Sequence, residues 1–309
     1  MIKYFYRNLR NPELQQMDEF QRGTWVYAEA PTDAEITQLT KRFKLEAGHL
    51  EDARDEDEMP RLEREGDQTY IFVRFPFRTS RGDLDTSPLL IIFGGEYVIT
   101  ISQVRLPALD FLNRTKIDFS TTQRAKLVLL ILSQISDQYD SYINKISRQI
   151  RAIRSRLRGQ GIRNKDLIDF VTIEDDLNEF LASLQPTNAA LRRLLINRQL
   201  PLFEEDQDLV EDLLLNNEQS IEAIRSNLRS ISNIRDAYTA ITSNNLNQTI
   251  TVLTIATILI TLPNIFFGMY GMNIPLPFEH SKAIFPALMA INIVLLAGIV
   301  IFARKKRLL

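Results

Sequence analysis

The stretch ITVLTIATILITLPNIFFGMYGMN, residues 250–273, decides the architecture that we expect of this chain. It lies in a segment, 237–278, that contains no Asp, Glu, Lys or Arg. Residues 250–269, and a second apolar stretch at 283–303, would each cover about 30 Å as a helix, the thickness of the hydrocarbon core of a bilayer. Helices buried in soluble proteins are rarely so long without a charge, so we expect two membrane spans.

The charges that flank these stretches predict their orientation. Arg304-Lys305-Lys306-Arg307 follows the second span, whereas the connection 273–282 carries one lysine, Lys282. Because positive charge stays in the cytoplasm, the connection should be external and both termini cytoplasmic, in a multi-pass protein of the plasma membrane. The absence of cysteine and of an apolar leader at the N-terminus agrees with this expectation.

Residues 1–120 predict an α+β cytosolic domain, a sheet covered by helices. Residues 31–35, Pro-Thr-Asp-Ala-Glu, are typical of a helix start, and a second, shorter helix is expected within 45–58. Residues 70–75, 89–93 and 97–101 are rich in β-branched and aromatic side chains, which favours strands. Gly94-Gly95 predicts a two-residue hairpin turn between the last two strands.

From residue 121 onward the pattern is helical and very long. Gly159-Gln160-Gly161 should divide a helical hairpin, 121–200. A third helix starts near Phe203 and contains no proline before Pro263, so it should run from a cytosolic stalk, 201–248, into the first span, 249–272. An external loop, 273–282, a second span, 283–303, and a basic tail, 304–309, complete the chain. A helix this long needs lateral support, so we expect it to bundle with other copies of the chain.

A polar stripe interrupts the first span. Its members follow one another at steps of three or four residues: Asn247, Thr251, Thr254, Thr257 (or Ile258), Thr261, Asn264 and Gly268. Polar side chains are costly against lipid, so the stripe should face protein or water. Threonine and glycine alone fit helix packing equally well. The two asparagines favour a water-filled lumen, which one helix cannot enclose, so several subunits are needed.

The end of the first span carries a resemblance to a known family. Tyr270-Gly271-Met272-Asn273 closes the span, and segments 235–238, 243–247 and 253–258 precede it. This arrangement resembles the CorA divalent-cation transporters, strongly over 235–273 and in architecture over the whole chain. The resemblance implies a funnel-shaped homopentamer that carries Mg²⁺, with Co²⁺ and Ni²⁺ as further cargo, and no organic cofactor.

The resemblance also implies roles for individual residues. Gly271, Met272 and Asn273 would form the selectivity entrance, and a ring of neutral Asn273 amides would receive the hydrated ion through its water shell. Asn247 would form a polar ring near the cytosolic mouth, beside an apolar constriction. The pore-lining set is Asn247, Ile250, Leu253, Thr254, Thr257, Thr261, Asn264 and Gly268.

Two other functions stay open at this point. The loop 273–280 lacks the Met-Pro-Glu-Leu of many family members, and its Glu279 and His280 would attract cations; histidine suits Zn²⁺, so a zinc-transporting member is one alternative. A membrane-anchored signalling protein is the other. An enzyme is not expected, because the chain has two histidines, no cysteine and no phosphate-binding loop.

Charged clusters in the cytosolic part have two interpretations each. The run from Glu204 to Glu222 holds eight acids and no base, which fits a helix N-terminus and a solvated stalk. The family resemblance instead implies regulatory Mg²⁺ held by Asp212, with Asp83 and Asp85 as partners from a neighbouring subunit. An arginine cluster comprises Arg148, Arg151, Arg154, Arg156, Arg158 and Arg163. We expect a solvated tip there and no nucleic acid, because no aromatic platform accompanies the cluster and the net charge is −2.

The predicted orientation can be tested by cysteine labelling in intact cells. A cysteine at Glu279 should react with an impermeant thiol reagent added outside, and one at Leu309 should not, since the chain has no cysteine of its own. The reverse pattern would contradict the orientation, and labelling at both positions would contradict the two-span arrangement.

Overall fold

The computed structural model describes residues 1–8, 10–107, 119–159, 164–196, 200–275, 277 and 281–306. The chain divides into two compact units, Met1–Asn233 and Ile234–Leu309. Each unit is described by itself below.

The first unit is built on a seven-stranded sheet in the order β2-β1-β3-β7-β6-β5-β4. β3 and β7 are parallel, and all other neighbouring strands are antiparallel. The strands are β1 Ile2–Asn8, β2 Asn11–Met17, β3 Trp25–Glu29, β4 Arg61–Glu65, β5 Gln68–Arg78, β6 Leu84–Phe93 and β7 Val98–Ser102. The central strands read as nearly continuous apolar runs because helices cover both faces of the sheet.

One face of the sheet is covered by two short helices, α1 Asp33–Phe43 and α2 Ala47–Asp52. α1 begins as predicted, because the Thr32 side chain accepts from the Glu35 N–H while the Glu35 carboxylate accepts from the Thr32 N–H. It ends where Lys44 adopts a left-handed conformation with φ of 53°. The apolar sides of the two helices pack on the sheet residues Val26, Ala28, Tyr70, Phe72, Leu90, Ile92, Ile99 and Ile101.

The opposite face is covered by a helical hairpin, α3 Arg124–Gly159 and α4 Asn164–Ile196. The buried Tyr139 hydroxyl of α3 donates to the Arg74 carbonyl of β5 at 3.1 Å. The Tyr139 ring meets Phe180 of α4 edge-on, with ring centroids 5.1 Å apart. The apolar residues of α3 that recur at helical spacing are buried, except for the half-buried Leu130: Leu127, Ile131, Ile135, Tyr139, Ile143, Ile146, Ile150 and Ile153. The sheet, the hairpin and the start of the next helix therefore share one core.

The third long helix, α5 Glu204–Tyr270, contains Pro263 without a break in the helix assignment. In the first unit, three side-chain hydrogen bonds join it to α3. Ser136 Oγ donates to Asn217 Oδ1 at 2.7 Å and accepts from Asn216 Nδ2 at 3.2 Å, and Asn227 Nδ2 donates to Ser147 Oγ at 2.8 Å. Because the residue numbers rise together on both helices, α3 and α5 run in the same direction.

The second unit consists of the remainder of α5 and a further helix, α6 Ile284–Lys305. Both helices contain segments long and apolar enough to cross a membrane. Leu288, Asn292 and Ala303 of α6 and Ile255 of α5 are buried within this unit. Their spacing puts one stripe of each helix against the other.

Two local predictions need correction. The tip of the β6–β7 hairpin is Gly95-Glu96, because the Gly94 N–H donates to the Tyr97 carbonyl at 3.1 Å, and neither Gly94 nor Gly95 has a positive φ. Glycine is needed at 94 for space, since a Cβ there would lie 2.4 Å from the Tyr97 ring. The second predicted helix, within 45–58, is shorter than expected and spans only Ala47–Asp52.

The shared core predicts unequal responses along α4. Phe180→Ala should lower the free energy of unfolding by about 3–5 kcal/mol, because Phe180 is fully buried against α3. Ile168→Ala on the same helix, where Ile168 is 67% exposed, should change it by less than about 0.5 kcal/mol. Urea unfolding of the detergent-solubilised protein can be followed by fluorescence of Trp25, the single and fully buried tryptophan. Equal unfolding midpoints for the two variants would contradict this packing.

Candidate ion pathway

The membrane-spanning part of α5 has one side that α6 covers. The buried or half-buried positions recur at steps of three or four residues: Thr251, Ile255, Leu259, Leu262, Pro263, Phe266 and Tyr270. The positions of α6 that are buried or half-buried also form a single stripe, which includes Leu288 and Asn292. α6 of the same chain therefore covers this side of α5.

The predicted polar stripe lies on the other side of α5. At 100° per residue, Asn247, Thr254, Thr257, Thr261, Asn264 and Gly268 fall roughly opposite the side that α6 covers. All of them, together with Ile250 and Leu253, are exposed in the single chain. Thr251 differs from its predicted place, because it is half-buried at the border of the covered side. The stripe is thus left for water or for further copies to cover.

The hydroxyl groups of the stripe are oriented by the helix itself. Thr254 Oγ1 donates to the Ile250 carbonyl at 2.8 Å, and Thr257 Oγ1 donates to the Leu253 carbonyl at 2.9 Å. A hydroxyl has one hydrogen to donate and two lone pairs that accept, so these bonds leave acceptor oxygen on the outer surface of the helix. Such a surface favours water and cations over anions.

α5 ends immediately before the Gly-Met-Asn motif. The Gly271 and Met272 N–H groups donate to the carbonyls of Gly268 and Met269, each at 3.3 Å, which tightens the last turn. A helix C-terminus carries a partial negative charge, so cations are stabilised beside it. Asn273 is exposed directly beyond this end.

Two contacts define the backbone at this end. The Tyr270 hydroxyl donates to the Pro277 carbonyl at 3.2 Å, which ties the helix end to the following loop. A Cβ on Gly271 would lie 3.2 Å from the Phe267 carbonyl oxygen, so the helix end would have to shift to accept a side chain. A Cβ on Gly268 would meet nothing within 4 Å in this chain. The predicted loop residues Glu279 and His280 lie outside the described residues.

The structure brings Asp83 and Asp85 next to acids of α4 that the sequence did not single out. The pKa of Asp176 is raised to about 6, mainly by burial and in addition by the neighbouring charges of Asp175, Asp83 and Asp85, against the lowering effect of Arg78. The sequence feature that could have indicated this group is the pair Asp175-Asp176, which lies between buried residues of α4. Asp83, Asp85 and Asp175 are therefore near enough for their charges to act on Asp176.

Asp212 is exposed on α5 and is not among the charges that act on Asp176. Within the part of the chain that the structure describes, no three His, Cys, Asp or Glu side chains are arranged to hold a metal ion. In a single chain, therefore, neither Asp212 nor the acids near Asp83 and Asp85 form a complete metal site among the described residues.

Known proteins match this chain over nearly all of its length. Residues 20–306 match the family described as CorA-like Mg²⁺ transporter protein. The cobalt/magnesium transport protein CorA of Methanocaldococcus jannaschii is 25% identical over 302 residues, covering 95% of this chain and 94% of that protein. The complete structure of the CorA magnesium transporter from the same organism matches with a TM-score of 0.85 at 22% identity, covering 99% of this chain and 98% of that one.

A second full-length structure, of the CmaX protein, matches with a TM-score of 0.77 at 17% identity and covers 96% of this chain and 97% of that one. At these identities the structural matches show the shared fold: an N-terminal sheet domain, long helices and C-terminal apolar helices. The family match carries the assignment. The chain belongs to the CorA-like Mg²⁺ transporter family and is a membrane-embedded transporter of divalent cations, not an enzyme.

Proposed function

We propose that this chain forms a homopentameric channel for Mg²⁺ influx, with α5 lining the pore and α6 packed outside it. The observation that carries the proposal is the two-sided character of α5. One side is covered by α6 of the same chain, and the opposite, polar side is exposed. In a bilayer that polar side needs water or protein, and a ring of α5 helices around a lumen supplies both.

The entrance follows from the charge of Mg²⁺ and its reluctance to lose water. A ring of Asn273 amide oxygens would accept hydrogen bonds from the ion's bound water, and the C-termini of several α5 helices would attract the positive charge. Neutral ligands hold the ion less tightly than carboxylates do, so the ion can leave again. Thr261, Thr257 and Thr254 would then offer acceptor oxygens down the pore.

The cytosolic mouth has a different chemistry. Ile250 and Leu253 are exposed on the same side of α5 as Asn247, so in the pentamer they would narrow the pore with apolar side chains. A hydrophobic constriction can gate a pore by excluding water from it. We assign the gate to these two residues and a polar ring to Asn247.

Zn²⁺ is the alternative cargo for the same pathway. Zinc transport rests on the loop residues Glu279 and His280, since histidine nitrogen binds Zn²⁺ better than Mg²⁺. Mg²⁺ is favoured because the stripe and the entrance offer only oxygen ligands from neutral side chains. Co²⁺ and Ni²⁺ are proposed as additional cargo. A signalling function has no support left, because the family assignment already accounts for the spans and the long helices.

Regulation by cytosolic Mg²⁺ is part of the proposal. Asp212 would hold the ion together with Asp83 and Asp85 of a neighbouring subunit, and Asp176 would enlarge the acidic group on the second side. Without the cation these carboxylates repel one another across the interface, which would loosen the closed state. Within one chain the pKa of Asp176 is raised mainly by burial, and the charges of Asp175, Asp83 and Asp85 add to the rise. Internal Mg²⁺ would thus limit its own uptake.

The entrance is tested by replacing its amide. Asn273→Ala should reduce Mg²⁺ flux into proteoliposomes to below about one tenth, because the ring that receives the hydrated ion is gone. Asn245→Ala is the matched control, since Asn245 is exposed on α5 but lies off the polar stripe. Gly271→Ala should also abolish flux, whereas Gly298→Ala, which has free space around its Cβ on α6, should not.

Flux is compared at equal amounts of assembled protein, measured by size-exclusion chromatography in detergent. Normal Mg²⁺ flux through Asn273→Ala would show that the motif is structural in this protein. Flux of Zn²⁺ and Ni²⁺ in the same vesicles ranks the cargo, and Zn²⁺ flux well above Mg²⁺ flux would favour the second candidate function.

The regulatory site is tested by Asp212→Ala, with Glu211→Ala as the control from the same acidic run. Asp212→Ala should weaken the inhibition of flux by internal Mg²⁺ and reduce the Mg²⁺-dependent protease resistance of the cytosolic part. Both are measured over millimolar Mg²⁺ in one preparation, and Glu211→Ala should behave like the unmodified protein. If Asp212→Ala retains both inhibition and protection, Asp212 is a solvated acid of the helix.

A further inference from the structure

The first unit contains a cavity of about 630 Å³ that the ion pathway does not use. It lies between the tips of two hairpins, β4–β5 and β6–β7, and the connection from α1 to α2. Cavities of roughly 300–1,000 Å³ are of the size that binds small organic molecules. The aromatic rings that line this cavity are buried or half-buried, whereas its carboxylates are exposed. The cavity therefore combines an apolar floor with a charged mouth.

Three aromatic rings form the floor: Phe20, Phe43 and Tyr97. The centroid of the Phe43 ring lies 4.7 Å from that of Tyr97 and 4.9 Å from that of Phe20, in edge-on contacts. The faces of such rings attract cations. The Arg42 guanidinium already lies 5.3 Å from the Phe20 centroid and 5.8 Å from the Phe43 centroid. Among the described residues no cation lies over Tyr97, so its half-buried ring is left for a cation from outside the chain.

Hydrogen bonds hold the floor in place. Gln68 Nε2 donates to the Tyr97 hydroxyl at 2.9 Å and to the Phe43 carbonyl at 3.0 Å. The Tyr70 hydroxyl donates to Gln68 Oε1 at 2.6 Å and accepts from the Glu46 N–H at 3.0 Å. This network orders the rings without a ligand, so binding would cost little further ordering of the protein.

The mouth of the cavity carries negative charge. Three of its carboxylates are exposed and form no ion pair within the ranges that the structure describes: Glu46, Glu65 and Asp67. Their charges reach the floor, because the pKa of Tyr70 is raised mainly by burial and in addition by these three carboxylates. The C-terminus of α1, which ends at Phe43, adds a partial negative charge. Two bases also line the cavity, Arg42 and Lys44, against four acids in all.

The carboxylates stand on separate elements around the mouth. Glu46 immediately precedes α2, whereas Glu65 and Asp67 belong to the β4–β5 hairpin. Asp67 Oδ2 would lie 3.8 Å from a Cβ on Gly95, so the tips of the two hairpins are close together. Separated negative charges above aromatic rings fit a ligand that has several positive groups on an apolar chain. Hydrated Mg²⁺ fits poorly, because it takes oxygen ligands and aromatic rings offer none.

We propose that this cavity binds a linear polyamine, an organic cation whose ammonium groups are separated by methylene chains. The ammonium groups would donate charge-assisted hydrogen bonds to Glu46, Glu65 and Asp67. The methylene chain would lie on the aromatic floor, with one ammonium group over the Tyr97 ring. Such a ligand belongs to a different chemical class from the proposed cargo. The site therefore goes beyond the proposed function and does not depend on which ion is carried.

The test is isothermal titration calorimetry of spermidine into the full-length protein in detergent, at a constant millimolar concentration of Mg²⁺ that fills sites for the inorganic ion. One site per chain is expected. E65Q/D67N should weaken spermidine binding about tenfold, because two of the three unpaired carboxylates lose their charge. Asparagine at 67 is tolerated in the hairpin turn. The matched control E13Q/D140N neutralises two exposed acids outside the cavity and should leave the affinity unchanged.

A second variant tests the floor. Tyr97→Leu should weaken spermidine binding about three- to fivefold, because the ring face that holds one ammonium group is lost. Fluorescence of the buried Trp25 during urea unfolding shows whether each variant is folded. Phe20→Leu, at a half-buried position of the same floor, takes the place of Tyr97→Leu if that variant does not fold.

Four outcomes would overturn the proposal. Spermidine that does not bind saturably at millimolar concentration would exclude the site, and so would an equal loss of affinity in E65Q/D67N and in the control. Unchanged affinity in the folded floor variant would show that surface charge alone attracts the ligand. Tighter binding of a tetralysine peptide than of spermidine, lost in E65Q/D67N, would assign the cavity to a protein partner. Mg²⁺ flux is measured separately, so this proposal and the channel proposal can fail independently.

Discussion

Hydrocarbon cannot satisfy polar groups, and this single constraint organises the membrane part of the protein. α6 covers one side of α5 and leaves the side with Asn247, Thr257 and Asn264 open. That open side would be costly against lipid, so a lone copy of the chain is an incomplete structure in a bilayer. In the proposed channel, assembly and a lumen lined with acceptor oxygens would both answer this one requirement.

The first unit is held together by helices that pack on both faces of its sheet. α1 and α2 pack on one face, and α3 and α4 pack on the other through Tyr139 and Phe180. α5 joins the same unit along α3 through three serine–asparagine hydrogen bonds as well as through apolar contacts. Polar contacts of this kind fix the register of neighbouring helices, because a shift of either helix leaves a buried polar group unpaired. A rearrangement around the acids of α4 would therefore reach α5 through packed helices.

Much of this could be predicted because the deciding signals are local. The membrane spans follow from length and lack of charge, the start of α1 from its capping residues, and the helical hairpin from the glycines near 160. The polar stripe was predicted from periodicity alone, and the structure leaves its members on the open side of α5, with the exception of Thr251. That residue sits at the border of the covered side, and where the border falls depends on the angle at which α6 packs.

Other features depend on tertiary structure and left no readable pattern. β1, β2 and β4 are short or partly exposed strands whose pairing is set by neighbours distant in sequence. Gly94 is required by the Tyr97 ring rather than by a turn conformation. Asp175 and Asp176 gain their importance only because α4 crosses the end of the β5–β6 hairpin, where Asp83 and Asp85 lie. The residues that complete the proposed regulatory site belong to another subunit, so no single chain can display it.

The order of the sheet has a consequence for how copies can join. Its two edge strands are β2 and β4, and each resists pairing with another chain. β2 contains Pro12, which has no N–H to donate, and β4 reads Arg-Leu-Glu-Arg-Glu, with alternating charges that would have to be buried. Strand addition between protomers is thereby disfavoured. In an assembly of the kind proposed above, contacts between helices would be favoured over strand pairing, and helices can shift against one another without breaking a hydrogen-bonded ladder.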